Sequence, residues 1–376
     1  MSVYVHPIAA DPDQLSQYIN FSVNLYRDAP CYVPPLYIDQ LATLTPEKNP
    51  AFDFCEACSF MAWRNGEPVG VITAIENKAA NEKTGRKQMR FGFMDFIDDK
   101  EVVDELFDAV AEWGRNRGLT EMVGPVGFTD MDPEGMLIEG FDEMGTMATI
   151  YNYPYYRDHM ERMGFVKDAD WVEYRITVPD AVPEKHARIA EIVRRKYNLK
   201  VVKYTSKKKI KEEYGHAIFD LVNEAYADLY GFVPLTERQI DHYIDQYLGV
   251  LRLDDVVLIA DSDDKLVALG ISMPSLSQAL RKSGGKLFPF GWWHLLKAIR
   301  GASDVVDLLL IAVKPEYQNK GVNALLFADL IPRYNANGYR FAESNVELEG
   351  NENVQKQWEY FERRQHRRRR AWIKSL

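Results

Sequence analysis

The sequence predicts an α/β protein of the mixed α+β kind, with two domains that each carry a mixed central sheet flanked by helices. Its 376 residues are enough for two domains of the usual length. Each half of the chain gives helices, a hairpin, a strand, a long helix, a strand, a helix and a last strand. Residues 305–313 form a nearly continuous apolar run, which is typical of a strand buried on both faces.

The first half of the chain contains every type of element in this order. Asn65-Gly66 separates two short apolar runs, and this pair favours a hairpin because both turn positions adopt positive φ. Apolar residues three and four apart over 102–117, followed by Gly118, predict an amphipathic helix. The predicted elements are helix 13–26, strands 59–64, 68–76 and 90–96, helix 102–117, strand 121–128, helix 155–163 and strand 170–178.

The second half repeats this order after a proline-containing boundary at 179–183 and a helix at 184–197. Its predicted elements are strand 200–204, helices 214–230 and 236–247, strands 256–260, 266–273 and 305–313, helix 321–334, strand 339–345, helix 353–363 and strand 370–374. We therefore predict an N-terminal domain at 1–180, a linker helix within 181–199 and a C-terminal domain at 200–376.

Composition excludes several classes of protein. A formal net charge of -10 and a pI near 5.4 argue against DNA and disfavour RNA as partners, since both require a basic face. The first residues lack a signal-peptide pattern and no apolar run is long enough to span a membrane, so a cytoplasmic location is expected. Cys31, Cys55 and Cys58 do not suggest a disulfide framework, and Cys55-x-x-Cys58 lacks the second pair that a metal site needs, so no metal is predicted.

The stretch after the apolar run carries the clearest chemistry. The predicted strand ends at Val313, and Gln318 to Ala324 then opens an apolar helix. A loop that enters a helix N-terminus presents unpaired N–H groups to an anion, and the helix dipole strengthens the attraction. Gly321 permits a close approach of the backbone to a phosphate, and Lys320 adds a positive charge. The glycine patterns of nucleotide-hydrolysis and dinucleotide loops are absent.

Val313-x-Pro315-x-Tyr317-Gln318-x-x-Gly321 resembles the coenzyme A signature of the GNAT (acyl-CoA N-acyltransferase) superfamily. The resemblance implies two acyl-CoA N-acyltransferase-like domains and acetyl-CoA or another acyl-CoA as cosubstrate, with its pyrophosphate held by loop amides. The sequence departs from the family at Asn323, where glycine or alanine is usual, and Ala324 follows one position later. The cofactor-binding residues implied by this match are Val313, Gln318, Asn319, Lys320, Gly321, Val322, Asn323 and Ala324.

A second part of the resemblance lies downstream, where Asn353 and Tyr360 have the family's spacing of seven residues. In the family the asparagine often contacts the cofactor, and the tyrosine often protonates the leaving thiolate. Tyr360 as a core aromatic residue stays an alternative. Glu343 is the candidate general base, with Glu347 and Glu349 as rivals, although each could also be a solvated carboxylate.

The equivalent loop of the N-terminal half has no Gln-x-x-Gly. It carries Asp98, Asp99 and Glu101 at a helix start, where these side chains cap the helix but repel a pyrophosphate. We therefore expect the N-terminal domain to bind no coenzyme A and to serve as a degenerate, substrate-side or scaffolding partner.

Two further stretches allow more than one interpretation. An aromatic insertion at 287–299, flanked by Arg281, Lys282, Lys286 and Arg300, could contact a membrane surface, cover a long acyl chain or pack against protein. Residues 363–370 hold six arginines, which could bind RNA or an anionic substrate, or could alternate along a strand and pair with local acids.

The leading hypothesis is an N-acyltransferase, and more narrowly an N-acetyltransferase, that moves an acyl group from acyl-CoA to a small-molecule or peptide amine by direct attack on the thioester. One alternative is an aminoacyl-tRNA-dependent peptidyl transferase of similar tandem fold. Another is a non-catalytic acyl-CoA-binding protein. The acceptor, the acyl chain length and the oligomeric state stay open.

Overall fold

The computed structural model describes residues 2–247 and 251–376, which group into two compact units. The first unit comprises 1–172, 277–294 and 366–376, and the second comprises 173–276 and 295–365. The domain ranges 1–180, 181–199 and 200–376 stay a prediction. The compact units group the chain differently: residues 277–294 and 366–376 of the predicted C-terminal domain belong to the first unit, and residues 173–180 belong to the second.

The secondary structure follows the chain in this order. Up to Thr177 it consists of β1 (Tyr4–Pro7), α1 (Pro12–Leu25), α2 (Tyr37–Thr43), β2 (Cys55–Arg64), β3 (Glu67–Asn77), α3 (Lys78–Thr84), β4 (Gln88–Phe96), α4 (Lys100–Arg115), β5 (Glu121–Gly124), β6 (Met136–Glu139), α5 (Tyr155–Arg162) and β7 (Val166–Thr177). Beyond it come α6 (Glu184–Lys196), β8 (Lys200–Val201), α7 (Lys207–Ala225), α8 (Glu237–Tyr247), β9 (Val256–Ala260), β10 (Leu266–Pro274), α9 (Ser277–Ser283), α10 (Gly291–Lys297), β11 (Val305–Val313), α11 (Asn323–Ala336), β12 (Phe341–Glu343), β13 (Glu347–Leu348), α12 (Glu352–Gln357) and β14 (Arg363–Ser375).

The first unit has a mixed sheet in the order β1-β2-β3-β4-β5-β14, in which β4 and β5 are parallel. Residues of β3 alternate between two hydrophobic clusters because successive side chains of a strand point to opposite faces. Ile72 and Ala74 belong to the cluster that contains the apolar stripe of α4, whereas Val71 and Ile75 belong to the cluster of α1. The sheet is therefore covered by helices on both faces.

The second unit has a mixed sheet in which the end of β7 is followed by β12, β11, β10, β9 and β8. Only β11 and β12 are parallel among these pairs. Helix α11 packs on this sheet, and the hydroxyls of Tyr334 on α11 and Ser272 on β10 lie 2.7 Å apart. The predicted fold class, with mixed central sheets flanked by helices, is confirmed.

Several predicted element bounds were wrong. The strand predicted at 121–128 ends at Gly124, since Pro125 has no N–H with which to continue a ladder. The helix predicted at 353–363 ends at Gln357 and is followed by a 3₁₀ turn, Trp358–Tyr360. Side chains three residues apart eclipse in that geometry. The ring centroids of Trp358 and Phe361 consequently both lie within 6 Å of that of Phe327, at 5.6 Å and 5.3 Å.

The arginine-rich stretch lies on β14, which is much longer than the predicted strand 370–374. Arg367 and Arg369 are buried, and their guanidinium groups donate to the carbonyls of Met144 and Ile150. Arg368 and Arg370 instead donate to the carboxylate of Asp170. The prediction that some of these arginines alternate along a strand and pair with local acids is thereby confirmed.

Candidate functional site

Strand β11 of the second unit has an open edge. Its ladder with β12 joins only Val305–Asp307 to Phe341–Glu343, whereas its ladder with β10 extends to Val313. Two carbonyls beyond the short ladder accept side-chain donors: Leu309 from Asn345 at 3.3 Å and Ile311 from the Tyr226 hydroxyl at 2.9 Å. At about 3.3 Å per residue, the open stretch from Leu308 to Val313 is about 17 Å long. It leads directly to the loop predicted to bind an anion.

The loop Gln318–Val322 combines left-handed and right-handed backbone conformations. Asn319 has φ 56° and Gly321 has φ 79°, whereas Val322 has φ -60° and ψ -29°. Such alternation makes successive N–H groups converge in an anion-binding concavity. Within residues 2–247 and 251–376, the N–H groups of Asn319, Gly321 and Val322 have no hydrogen-bond acceptor. Helix α11 also begins without a side-chain cap, so the loop and the helix start both leave N–H groups available.

Gly321 is required for two reasons. Its φ of 79° is strained for other residues, and a Cβ built on it would lie 2.9 Å from Ile189 Cγ2 and 3.4 Å from Val193 Cγ2. Both neighbours belong to α6. Gly321 was predicted to allow close approach of a phosphate, and it also allows α11 to pack against α6.

The polar side chains of the loop have internal partners. Gln318 Nε2 donates to the Val313 carbonyl at 3.1 Å and closes the loop on the strand that precedes it. Asn323 Nδ2 donates to Gln357 Oε1 at 3.1 Å, which gives a structural reason for the departure from glycine or alanine. Lys320 Nζ lies 5.4 Å and 5.6 Å from the ring centroids of Tyr197 and Tyr317. Val322 and Ala324 are buried and anchor the helix start.

Tyr360 lies in the 3₁₀ turn and is half exposed, at 50%. Its hydroxyl accepts a hydrogen bond from Lys185 Nζ at 2.8 Å, and its ring lies 5.2 Å from that of His186. Burial lowers the pKa of His186, whose Nδ1 has no hydrogen-bond partner within the described residues. Asn353 is exposed on α12, and Asn351 is the residue that caps this helix. Neither Lys185 nor His186 was singled out from the sequence.

Two candidate bases differ in their surroundings. Glu343 is buried on β12, and its Oε1 accepts from Arg175 NH1 at 3.1 Å. Glu347 is also buried, and its Oε1 accepts from Trp358 Nε1 at 2.7 Å, whereas its Oε2 has no hydrogen-bond partner among the described residues. Burial raises the pKa of Glu347 to about 7. A carboxyl that titrates near neutrality and keeps one unpartnered oxygen is better suited to accept a proton than one held in an ion pair.

An apolar pocket, here called the acyl pocket, lies between α11 and the sheet of the second unit. Its empty volume is about 620 Å³, including the part open to solvent. The hydroxyls of Ser272 and Tyr334 in its wall bond to each other, so neither is left without a partner. Its walls include Leu308, Leu310 and Ile311 of β11, Leu326, Leu330 and Ile331 of α11, and Trp358 and Phe361. The pocket and the open edge of β11 therefore share residues.

The corresponding helix start in the first unit, at α4, carries negative charge and, unlike the start of α11, has a side-chain cap. Asp99 caps α4 by accepting from Val102 N, and Arg64 donates to both oxygens of Asp99 and to Glu101. The Arg64 guanidinium lowers the pKa of Asp99 to about 2. Carboxylates therefore occupy this N-terminus, and the expectation that the first unit binds no coenzyme A stays a prediction.

The structure thus brings part of the predicted site together. Residues 313–324 form one loop and helix start, and Asn323 links it to α12 through Gln357. The rings of Tyr360 and Phe361 both contact the ring of His186. Asn353 is not linked to the loop by a hydrogen bond within the described residues. The open edge, the acyl pocket and the unusual pKa of Glu347 have no local sequence signal.

Comparison with solved structures defines the class of fold. A tandem GNAT protein from the clavulanic acid biosynthesis pathway aligns over 100% of this chain and 98% of its own, with a TM-score of 0.57 at 13% identity. The chain therefore has a tandem GNAT-like fold, as predicted.

Two proteins are similar in sequence, although no protein-family model matches the chain. Protein YghO of Escherichia coli (strain K12) is 29% identical over 321 residues, which are 85% of this chain and 81% of that protein. The bacterial ceramide synthase of Caulobacter vibrioides (strain NA1000 / CB15N) is 28% identical over 316 residues, 82% of this chain and 79% of that protein. Across residues 2–247 and 251–376, no helix is long and apolar enough to cross a membrane.

Proposed function

We propose that this protein is an N-acyltransferase that moves a long acyl chain from acyl-CoA to the amine of a lipid-like acceptor. The observation that carries the proposal is the continuity of three features on β11: the anion-binding loop at its end, its open edge and the acyl pocket beside it. A pyrophosphate, an extended arm with amide groups and a hydrocarbon chain are the three parts of a fatty acyl-CoA. They would occupy these features in that order.

The acceptor is proposed from one relative and from the chemistry of the site. A ceramide is the amide of a fatty acid with a long-chain amino alcohol, and one relative is called a bacterial ceramide synthase. An apolar pocket is suited to the acyl half of such a product. We therefore extend the sequence-based hypothesis from acetyl to long acyl chains, and from a general amine to a long-chain amino alcohol.

In the proposed reaction the amine nitrogen attacks the thioester carbonyl carbon, a C–N bond forms and the C–S bond breaks. The nitrogen loses a proton to Glu347, whose pKa of about 7 suits a base at neutral pH. The leaving thiolate takes a proton from the hydroxyl of Tyr360, directly or through water. The backbone N–H groups of Asn319, Gly321 and Val322 hold the pyrophosphate, and Lys320 adds a positive charge beside it. Glu343 stays a candidate base that its ion pair with Arg175 disfavours.

The test is release of free coenzyme A thiol from palmitoyl-CoA with and without sphinganine, together with mass spectrometry of the expected amide. Thiol release that requires the amine, with the amide formed in equal amount, supports the proposal. If the protein binds palmitoyl-CoA but forms no amide with sphinganine or with shorter amines, a non-catalytic acyl-CoA-binding protein is favoured instead. A Gly321→Glu variant is the control, because its carboxylate would repel the pyrophosphate.

A further inference from the structure

An exposed aromatic surface lies on the first unit and is formed by residues that the proposed site does not use. Of nine large hydrophobic side chains that are exposed in the described part of the chain, four lie within six consecutive residues. Their exposed fractions are 80% for Phe288, 69% for Phe290, 47% for Trp292 and 54% for Trp293. We call Phe288–Trp293 the aromatic segment. Such concentration of exposed apolar surface is costly in water and indicates a partner.

The residues that precede the aromatic segment are held in place by hydrogen bonds and packing. Ser277 Oγ at the start of α9 donates to the Gly145 carbonyl at 3.0 Å, and Leu280 of this helix is buried. The N–H of Tyr37 donates to the Gly285 carbonyl at 2.9 Å. Gly285 has φ 75°, and a Cβ on it would lie 2.2 Å from the Pro35 carbonyl oxygen. The backbone before the segment is therefore held in place, while the aromatic rings project outward.

Positive charge near the aromatic segment favours an anionic partner. Lys282 and Lys286 are exposed immediately before it, in a chain whose formal net charge is -10. Exposed lysines beside tryptophans are the combination that lies at the interface of a bilayer with anionic headgroups. A second copy of this chain would bring the same lysine-flanked surface against itself, which is less favourable.

We propose that the aromatic segment inserts into the interfacial layer of an anionic lipid bilayer and holds the protein reversibly at its surface. The rings enter the boundary between headgroups and acyl chains, while the two lysines contact the anionic headgroups. This inference does not depend on the proposed acyl transfer, because it uses none of the residues of that site.

The test is cosedimentation of the full chain with vesicles of phosphatidylcholine alone and of phosphatidylcholine mixed with phosphatidylglycerol. We expect binding to the anionic vesicles, a loss of about tenfold or more in partition coefficient for Trp292→Ser/Trp293→Ser, and about a fivefold loss for each lysine in Lys282→Gln/Lys286→Gln. Ile192→Ser, which removes another exposed apolar side chain at 52% exposure, is the matched control and should bind as the parent does.

Depth of insertion gives a second readout. Brominated lipid tails should quench the fluorescence of the parent chain much more than that of Trp292→Phe/Trp293→Phe, because four of the other five tryptophans, Trp113, Trp171, Trp358 and Trp372, are at most 9% exposed. Equal vesicle binding of the parent and Trp292→Ser/Trp293→Ser would overturn the proposal. The proposal would also be overturned if the parent did not bind vesicles but formed dimers without lipid, and if Trp292→Ser/Trp293→Ser abolished those dimers. The partner of the aromatic segment would then be a second copy of this chain.

Discussion

Leu330→Trp tests whether the acyl pocket sets the acyl chain length. Leu330 lies midway along the α11 wall, between Leu326 and Tyr334, which are about 12 Å apart along the helix axis. Its side chain is 6% exposed, and its Cδ1 would lie 3.4 Å from a Cβ built on Gly270 of β10. An indole at this position would fill the half of the pocket that lies beyond it.

The expected magnitude follows from the transfer of methylene groups out of water. Each buried methylene contributes about 0.8 kcal/mol, which is about a fourfold gain in kcat/KM for each added carbon. In the parent, kcat/KM should therefore rise steeply with chain length until the pocket is full. If the indole excludes about four methylenes, the variant loses about 3 kcal/mol, or about 200-fold, for long chains and little for short ones.

The assay is kcat/KM for a series of acyl-CoAs from acetyl to palmitoyl at a fixed concentration of sphinganine. Leu330→Met, which keeps the volume of the side chain, is the control and should preserve the parent profile. A flat dependence on chain length in the parent would refute the reasoning. An equal loss at every chain length in Leu330→Trp would also refute it, since general misfolding and not pocket volume would then explain the change.

Three further predictions concern the loop, the base and the first unit. Activity should rise with pH around the pKa of about 7 of Glu347, because the carboxyl must be ionised to accept a proton, and Glu347→Gln should lose this limb and about 10²–10⁴-fold in rate, as a pH–rate profile will show. Gly321→Ala, strained by its φ of 79° and its 2.9 Å contact, should cost about 1–3 kcal/mol in urea unfolding and weaken acyl-CoA binding in calorimetry, whereas Asn319→Gly should not destabilise the fold. Asp99→Asn should lower the urea midpoint at neutral pH. Because Arg64 lowers the folded-state pKa of Asp99 from 3.8 to about 2, the difference from the parent should disappear as the pH falls through this range; a constant difference would contradict this origin.

Features that depend on neighbouring residues in the chain could be predicted from the sequence. The hairpin at Asn65-Gly66 was predicted because both residues adopt positive φ, and their φ values are 57° and 83°. The apolar spacing of α4 predicted its buried face, since Val103, Leu106, Phe107 and Val110 are all buried. The loop before α11 was recognised for the same reason, because glycine and the helix start are adjacent in the chain.

Features that depend on distant residues could not be read from the sequence. The burial of Glu347 and its hydrogen bond from the Trp358 indole, which set it apart from Glu343, form only in the folded unit. The burial of Arg367 and Arg369 could not be predicted, since their carbonyl partners lie more than two hundred residues earlier in the chain. The acyl pocket likewise combines residues from β7, β10, β11, β12 and α11.

The place of β14 has a consequence for synthesis of the protein. Residues 366–376 belong to the first unit, and Trp372 to Ser375 pair with Gly124 to Glu121. During translation the strand that completes this sheet, β14, is made long after its partner β5. One edge of β5 in the nascent first unit therefore stays unpaired until the second unit and β14 have been made. A chain terminated at residue 365 would keep this edge open permanently, so a short truncation should promote aggregation.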